Sequence, residues 1–114
     1  IGPKSNTVNK FENDYWGSSI RELVKKTNFN NDSLITISSC GLNLDIAKKY
    51  LREKGYTNIQ FVRPEKSEYM IMTNRAILDK QSGKISNCFN VFSGKDIYVV
   101  KRNNLLLSTI RKIN

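Results

Sequence analysis

Apolar positions along this chain change their period several times, and each change marks an element. Ile20, Leu23 and Val24 recur at helical spacing with Lys25 and Lys26 behind them. This predicts an amphipathic helix ending near Thr27, its last-turn cations suited to the negative end of the helix dipole. Ser19 and Glu22 have the spacing of a capping box, which would start the helix there. Leu34-Ile35-Thr36-Ile37-Ser38 is short, rich in β-branched residues and flanked by polar turn formers, the pattern of a buried strand. A second helix follows, with Asn43 as its cap, Leu44, Ala47, Tyr50 and Leu51 facing inward, and Gly55 as a left-handed stop. Ile59 to Val62 forms a second strand closed by Pro64. Strand, helix and strand in succession make a βαβ unit, which implies a parallel pair joined by a right-handed crossover.

The second half changes character. Tyr69 to Thr73 reads as a third strand, and Arg75 to Lys84 as a loop or partly helical connection around Gln81-Ser82-Gly83. Cys88 to Phe92, Ile97 to Lys101 and Leu105 to Ile110 are three strand-like runs joined by Ser93-Gly94 and Arg102-Asn103-Asn104, so antiparallel hairpins are expected. The fold class that follows is mixed α/β (α+β): a small two-layer domain with a βαβ unit, a mixed sheet and C-terminal hairpins. At 114 residues the chain suits one core. Residues 1–10, polar and rich in turn formers, read as an extended lead-in, and residues 11–114 as a single domain.

Composition narrows the chemistry. Histidine is absent, which removes Ser-His and Cys-His nucleophile pairs and the commonest general base near neutral pH. Two cysteines, Cys40 and Cys88, are too few and too far apart for a zinc site, and no metal or cofactor is assigned. The thiols would pair only in an oxidising compartment and in suitable geometry, so two buried free thiols are the default expectation. No apolar run approaches the ~20 residues that cross a bilayer. The net charge of +9 points to an anionic partner, although the bias toward Lys, Asn and Ile is also what AT-rich coding produces. The basic residues look scattered along the chain, not gathered into one stripe.

Two segments are candidates for ligand contact or interaction. Ser38-Ser39-Cys40-Gly41-Leu42-Asn43 leaves the end of a strand and enters a helix, where open α/β sheets tend to bind ligands. Amides at the helix start favour an anion, Gly41 permits close approach, and the same helix end would lower the pKa of Cys40. Ordinary turn chemistry explains such small residues equally well. The second segment is Asp14-Tyr15-Trp16-Gly17, whose aromatics either plug the following helix onto the sheet or touch a ligand. Phe61, Tyr69, Phe89 and Tyr98 fit a core better than a base-stacking platform. Asn31-Asp32-Ser33 matches the glycosylation sequon, a frequent pattern.

Phe11-Glu12-Asn13-Asp14-Tyr15-Trp16-Gly17-Ser18-Ser19, followed by Arg21-Glu22-Leu23, resembles the segment after the last membrane spans in a group of bacterial integral-membrane glycosyltransferases. These are similar to polyprenyl-phosphate-sugar and protein-mannosyltransferase-like enzymes, in which an acid-Tyr-Trp-Gly element opens a C-terminal soluble domain. The likeness extends loosely to the strand ending near Cys40-Gly41, the helix with Ala47 and Tyr50-Leu51, and the stretch from Tyr98 to Ile110. It implies a parent in the inner membrane that moves a sugar from a lipid-phosphate donor, with this domain periplasmic and residues 1–10 leading in from the membrane region. The catalytic acids would lie on loops upstream, so no catalytic residue is carried over. Implied partners are the membrane-embedded part of the same chain, and anionic lipid or the lipid-phosphate sugar donor. Without an initiator Met, Ile1 reads as a cut inside a longer protein. The alternative is a basic nucleic-acid-binding module, which lacks a recognisable binding motif.

Overall fold

The computed structural model describes residues 18–78 and 81–114, so the lead-in and the Asp14-Tyr15-Trp16-Gly17 element lie outside the described residues. Helix α1 occupies 18–26, followed by β1 (Ile35–Cys40), α2 (Leu44–Lys54), β2 (Ile59–Phe61) and a 3₁₀ turn (Pro64–Lys66). The remaining elements are β3 (Tyr69–Thr73), β4 (Ala76–Leu78), β5 (Ile85–Asn87), the one-turn α3 (Cys88–Val91), β6 (Lys95–Arg102) and β7 (Leu105–Lys112). Five strands form one mixed sheet in the order β2-β1-β3-β7-β6, while β4 and β5 pair as a separate hairpin. The expected fold class is thus the observed one. β1, β2 and β3 are parallel, and β7 runs antiparallel to both β3 and β6.

The α2 sequence specifies its own ends. The Asn43 side chain accepts the Asp45 amide, and Gly55, at φ 105°, lets its own N–H and that of Tyr56 reach the carbonyls of Arg52 and Leu51. This paired closure satisfies carbonyls that the last turn leaves open. The start of α1 departs from expectation. Ser18 and Ser19 are already helical, and no capping box joins Ser19 to Glu22. The buried Ser19 hydroxyl instead shares a hydrogen bond with Ser108 of β7, and the Glu22 carboxylate pairs with Arg102. Tertiary partners outcompeted the local motif. The far end stops as read, where the Thr27 hydroxyl turns back to the Val24 carbonyl.

Both helices cover one face of the sheet. Ile20, Leu23 and Val24 of α1 and Ala47 and Leu51 of α2 are buried against Ile35, Ile37, Ile71, Val100 and Ile110. A ring cluster closes one end of this core: Phe29 lies 5.0–5.6 Å from Tyr56, Tyr69 and Tyr98. The Tyr56 hydroxyl meets Thr27 and accepts the Phe29 amide, and the Tyr98 hydroxyl accepts the Asn28 amide, so these half-buried rings pack while their polar tips are partnered. Asn31 of the sequon ties the same loop down, donating to the Gly55 carbonyl and accepting the Thr57 amide.

The other face is covered by connections. Between β2 and β3 the chain crosses beneath β1, where the buried Ser67 hydroxyl bonds that of Ser38 and the Glu68 amide bonds the Thr36 carbonyl. The two crossovers travel in opposite directions across the sheet and lie on opposite faces, as a shared right-handed sense requires. Farther along, Met70, Met72 and Cys88 form a second small core, flanked by Phe89, Phe92 and Ile113.

Two expectations in this half are corrected. Arg75 to Lys84 is not a simple loop, because 76–78 pairs with Ile85–Asn87 around the Gln81-Ser82 turn. Three-residue strands are too short for a periodic signal. Cys88 to Phe92 is a helical turn, not a strand: Asn87 caps it by accepting the Phe89 amide, and the buried Arg111 guanidinium collects the Phe89 and Phe92 carbonyls. Those carbonyls therefore need no partner strand. The β6–β7 hairpin forms as expected, with Asn103 and Asn104 both at positive φ in a two-residue turn.

Candidate functional site

β1 lies between β2 and β3, so the strand order reverses at the C-terminal ends of β1 and β3. In open α/β sheets this crevice is the usual ligand site. Here Cys40 and Gly41 form one wall and Thr73 and Asn74 the other, and the chain fills the space between them itself. Cys40 and Cys88 are joined in a disulfide with Cα atoms 5.9 Å apart, within the range such a bond needs. This corrects the expectation of two free thiols, and it removes Cys40 as a nucleophile or thiolate ligand. Thr73 donates its hydroxyl to the Gly41 carbonyl at 2.6 Å. The Asn87 amide donates to the Asn74 side chain at 2.6 Å, fastening α3 and the β4–β5 hairpin over the crevice.

Cys40, Gly41 and Asn43 lie in one loop, and each has a structural duty there. Gly41 sits at φ +81°, and a Cβ there would stand 2.7 Å from the Thr73 hydroxyl and 3.0 Å from the Cys88 sulfur. Its lack of a side chain admits the chain's own atoms. Asn43 spends its side-chain oxygen on the helix cap. Beside this loop an open cleft of about 380 Å³ remains, lined by Ser39, Leu44, Phe61, Arg63 and Pro64 among others. Ser38 contributes no free hydroxyl there, since it is bonded to Ser67. Among the described residues, no three His, Cys, Asp or Glu side chains converge as a metal site would require.

No family model, curated protein or solved structure matches this chain.

The feature that sequence reading missed is the gathering of charge by the tertiary structure. α1 and α2 lie side by side, with Lys54 donating to the Lys25 carbonyl at 2.9 Å. Their exposed positions include Arg21, Lys25, Lys49 and Arg52, far apart in sequence and on one layer in space. Only helix adjacency reveals this. Away from the helices, the buried Arg111 pairs with Asp96 at 2.7 Å, and the exposed Lys112 lies 3.8 Å from Glu68.

At the rim of the helix layer, the hydrogen bond from Arg102 holds the Glu22 carboxyl below its usual range, reinforced by the guanidinium charge. A depressed carboxylate pKa stabilises the fold above the unfolded value and loses that effect as the pH falls through the folded one. Both side chains are substantially exposed, so Glu22→Gln should cost at most about 0.5 kcal/mol at neutral pH. Urea midpoints of the two proteins should converge in acid; a gap that persists there would mean the glutamate acts through something other than its charge.

Proposed function

We propose that this chain is a non-catalytic, extracytoplasmic domain of a bacterial membrane glycosyltransferase, one that moves a sugar from a lipid-phosphate donor. The Cys40–Cys88 disulfide carries the reading. Such bonds persist in oxidising compartments and are rare in the cytosol, which supports an exported, periplasmic domain. The same bond occupies the crevice where a small α/β enzyme would keep its substrate, which supports chemistry housed elsewhere. Asp14-Tyr15-Trp16-Gly17 supplies the link to a parent whose catalytic acids lie on loops between membrane spans. No cofactor is assigned to the domain, and its main partner is the membrane-embedded part of its own chain. Its role is to stabilise that part or to shape acceptor access. The nucleic-acid alternative has only the charge surplus behind it, and Tyr69 and Tyr98, two rings available for stacking on bases, are packed against Phe29.

The test is sugar transfer from a lipid-phosphate donor by the membrane-embedded parent, with and without residues 11–114. Transfer or steady-state level should fall on truncation; full transfer by a well-expressed truncated enzyme overturns the role. A thiol titration of the chain unfolded in denaturant, trapped at harvest from its native compartment, should find no reactive thiol before reduction and two after. Two thiols before reduction would remove the support for export.

A further inference from the structure

We propose that the outer surface of α1 and α2 is a docking face for an anionic lipid bilayer. This rests on the reading above in one respect: a membrane-tethered parent holds the domain next to a bilayer, where weak contacts act at high effective concentration. The face itself is read from charge and geometry. The two helices carry Arg21, Lys25, Lys26, Lys48, Lys49, Arg52 and Lys54 against Glu22, Asp45 and Glu53, so they hold four of the nine surplus charges of the chain. Glu22 is already paired with Arg102. Arg21, Lys25, Lys49 and Arg52 are exposed on the outer side because Ile20, Leu23, Val24, Ala47 and Leu51 claim the inward stripes of both helices. Lys26 and Lys54 donate to the Val99 and Lys25 carbonyls, and Lys48 lies over the Phe61 ring.

Several features favour a bilayer over a nucleic acid. The cations are spread over two helices lying side by side on a sheet, a broad surface and not a groove that follows a backbone. The furrow between the two helices is lined by Arg21, Lys25 and Lys54 against the Glu53 carboxylate, so its net charge is positive. Tyr50, half-buried in that furrow, and Ile46, 39% exposed, add an amphipathic ring and an apolar side chain of the kind that rests at a headgroup boundary. Lysine and arginine stems lie along such a surface while their charges reach the headgroups.

Each cation near an anionic membrane strengthens association roughly fivefold. The 114-residue chain should therefore cosediment with vesicles of equal parts phosphatidylcholine and phosphatidylglycerol at low salt, release at high salt, and ignore pure phosphatidylcholine. The triple variant Arg21→Gln, Lys25→Gln, Lys49→Gln should weaken this binding on the order of a hundredfold. The control Lys66→Gln, Lys84→Gln, Lys95→Gln, which neutralises exposed cations away from both helices, should change it by less than about fivefold. All six positions are exposed, and circular dichroism checks that both variants fold. Equal losses in the two triple variants would reduce the effect to net charge and overturn a specific face. No preference for anionic vesicles would overturn it too, as would tighter binding to single-stranded oligonucleotides than to vesicles at the same ionic strength. Because the assay uses the isolated chain, its failure is distinct from failure of the truncation assay, which reads sugar transfer alone.

Discussion

Replacing Cys40 and Cys88 together by alanine should lower the folding free energy by about 4 kcal/mol. The bond closes a loop of 48 residues in sequence separation, and the chain entropy it removes from the unfolded state is of that size. Against a total stability of about 5–15 kcal/mol for a domain, this is between roughly a quarter and four-fifths of the margin. The loss should also be uneven. α3 and the β4–β5 hairpin attach to the sheet through the disulfide, the Asn87–Asn74 hydrogen bond and the grip of Arg111 on the Phe89 and Phe92 carbonyls. Without the covalent tie, amides of Asn87 to Phe92 should exchange with solvent much faster, while those of β3, inside the sheet between β1 and β7, fall only with global stability. Urea unfolding and amide exchange together check this. An unchanged midpoint, or uniform acceleration at every amide, would mean that the bond does not anchor this segment. Alanine is the right replacement because Cys88 is fully buried, where a serine hydroxyl would add its own desolvation cost.

Gly41→Ala should cost about 3 kcal/mol, from two sources that reinforce one another. The first is the backbone, since φ +81° is a conformation that an L-residue occupies only with strain. The second is space. The new methyl would meet the Thr73 hydroxyl at 2.7 Å, the Cys88 sulfur at 3.0 Å and the Arg75 Cβ at 3.3 Å. None of the first two can retreat easily: the hydroxyl is held by its bond to the Gly41 carbonyl, and the sulfur by the disulfide. Making Gly41→Ala in the background without cysteines separates the terms. Removing the sulfur should relieve about 1 kcal/mol of the cost and leave the backbone strain. If the substitution were neutral in both backgrounds, the tightness of this crevice would be wrong, and with it the reason for excluding a ligand there.

How far the sequence reached differs by element. The second helix was legible from Asn43 to Gly55 because its cap, apolar stripe and stop are all local, and local chemistry won at both ends. The βαβ unit was legible because β1 carries a dense run of β-branched residues and the short apolar β2 follows the Gly55 stop and is closed by Pro64. The first helix was legible in its stripe and misread at its start, because Ser19 found Ser108 eighty-nine residues away and left the capping box unmade. The segment from Cys88 to Phe92 misled for a similar reason: its aromatics read as a strand, yet Arg111 and the bond to Cys40 hold it as one helical turn. At the candidate site, residue types pointed to Cys40, Gly41 and Asn43. The duties of Cys40 and Gly41 depend on Cys88 and Thr73, brought there by the tertiary fold, while Asn43 caps its own helix.

What the sequence by itself determined is therefore the class of the fold and the bounds on chemistry: an amphipathic helix, a βαβ unit and a β6–β7 hairpin, with no histidine to act as a base. These follow from interactions within a few residues or from composition. Only the tertiary structure decided that the two thiols pair, that the crevice between β1 and β3 is filled from within, and that cations on separate helices share one face. Each depends on distances between residues remote in the chain, which sheet order and helix packing set and no local pattern encodes.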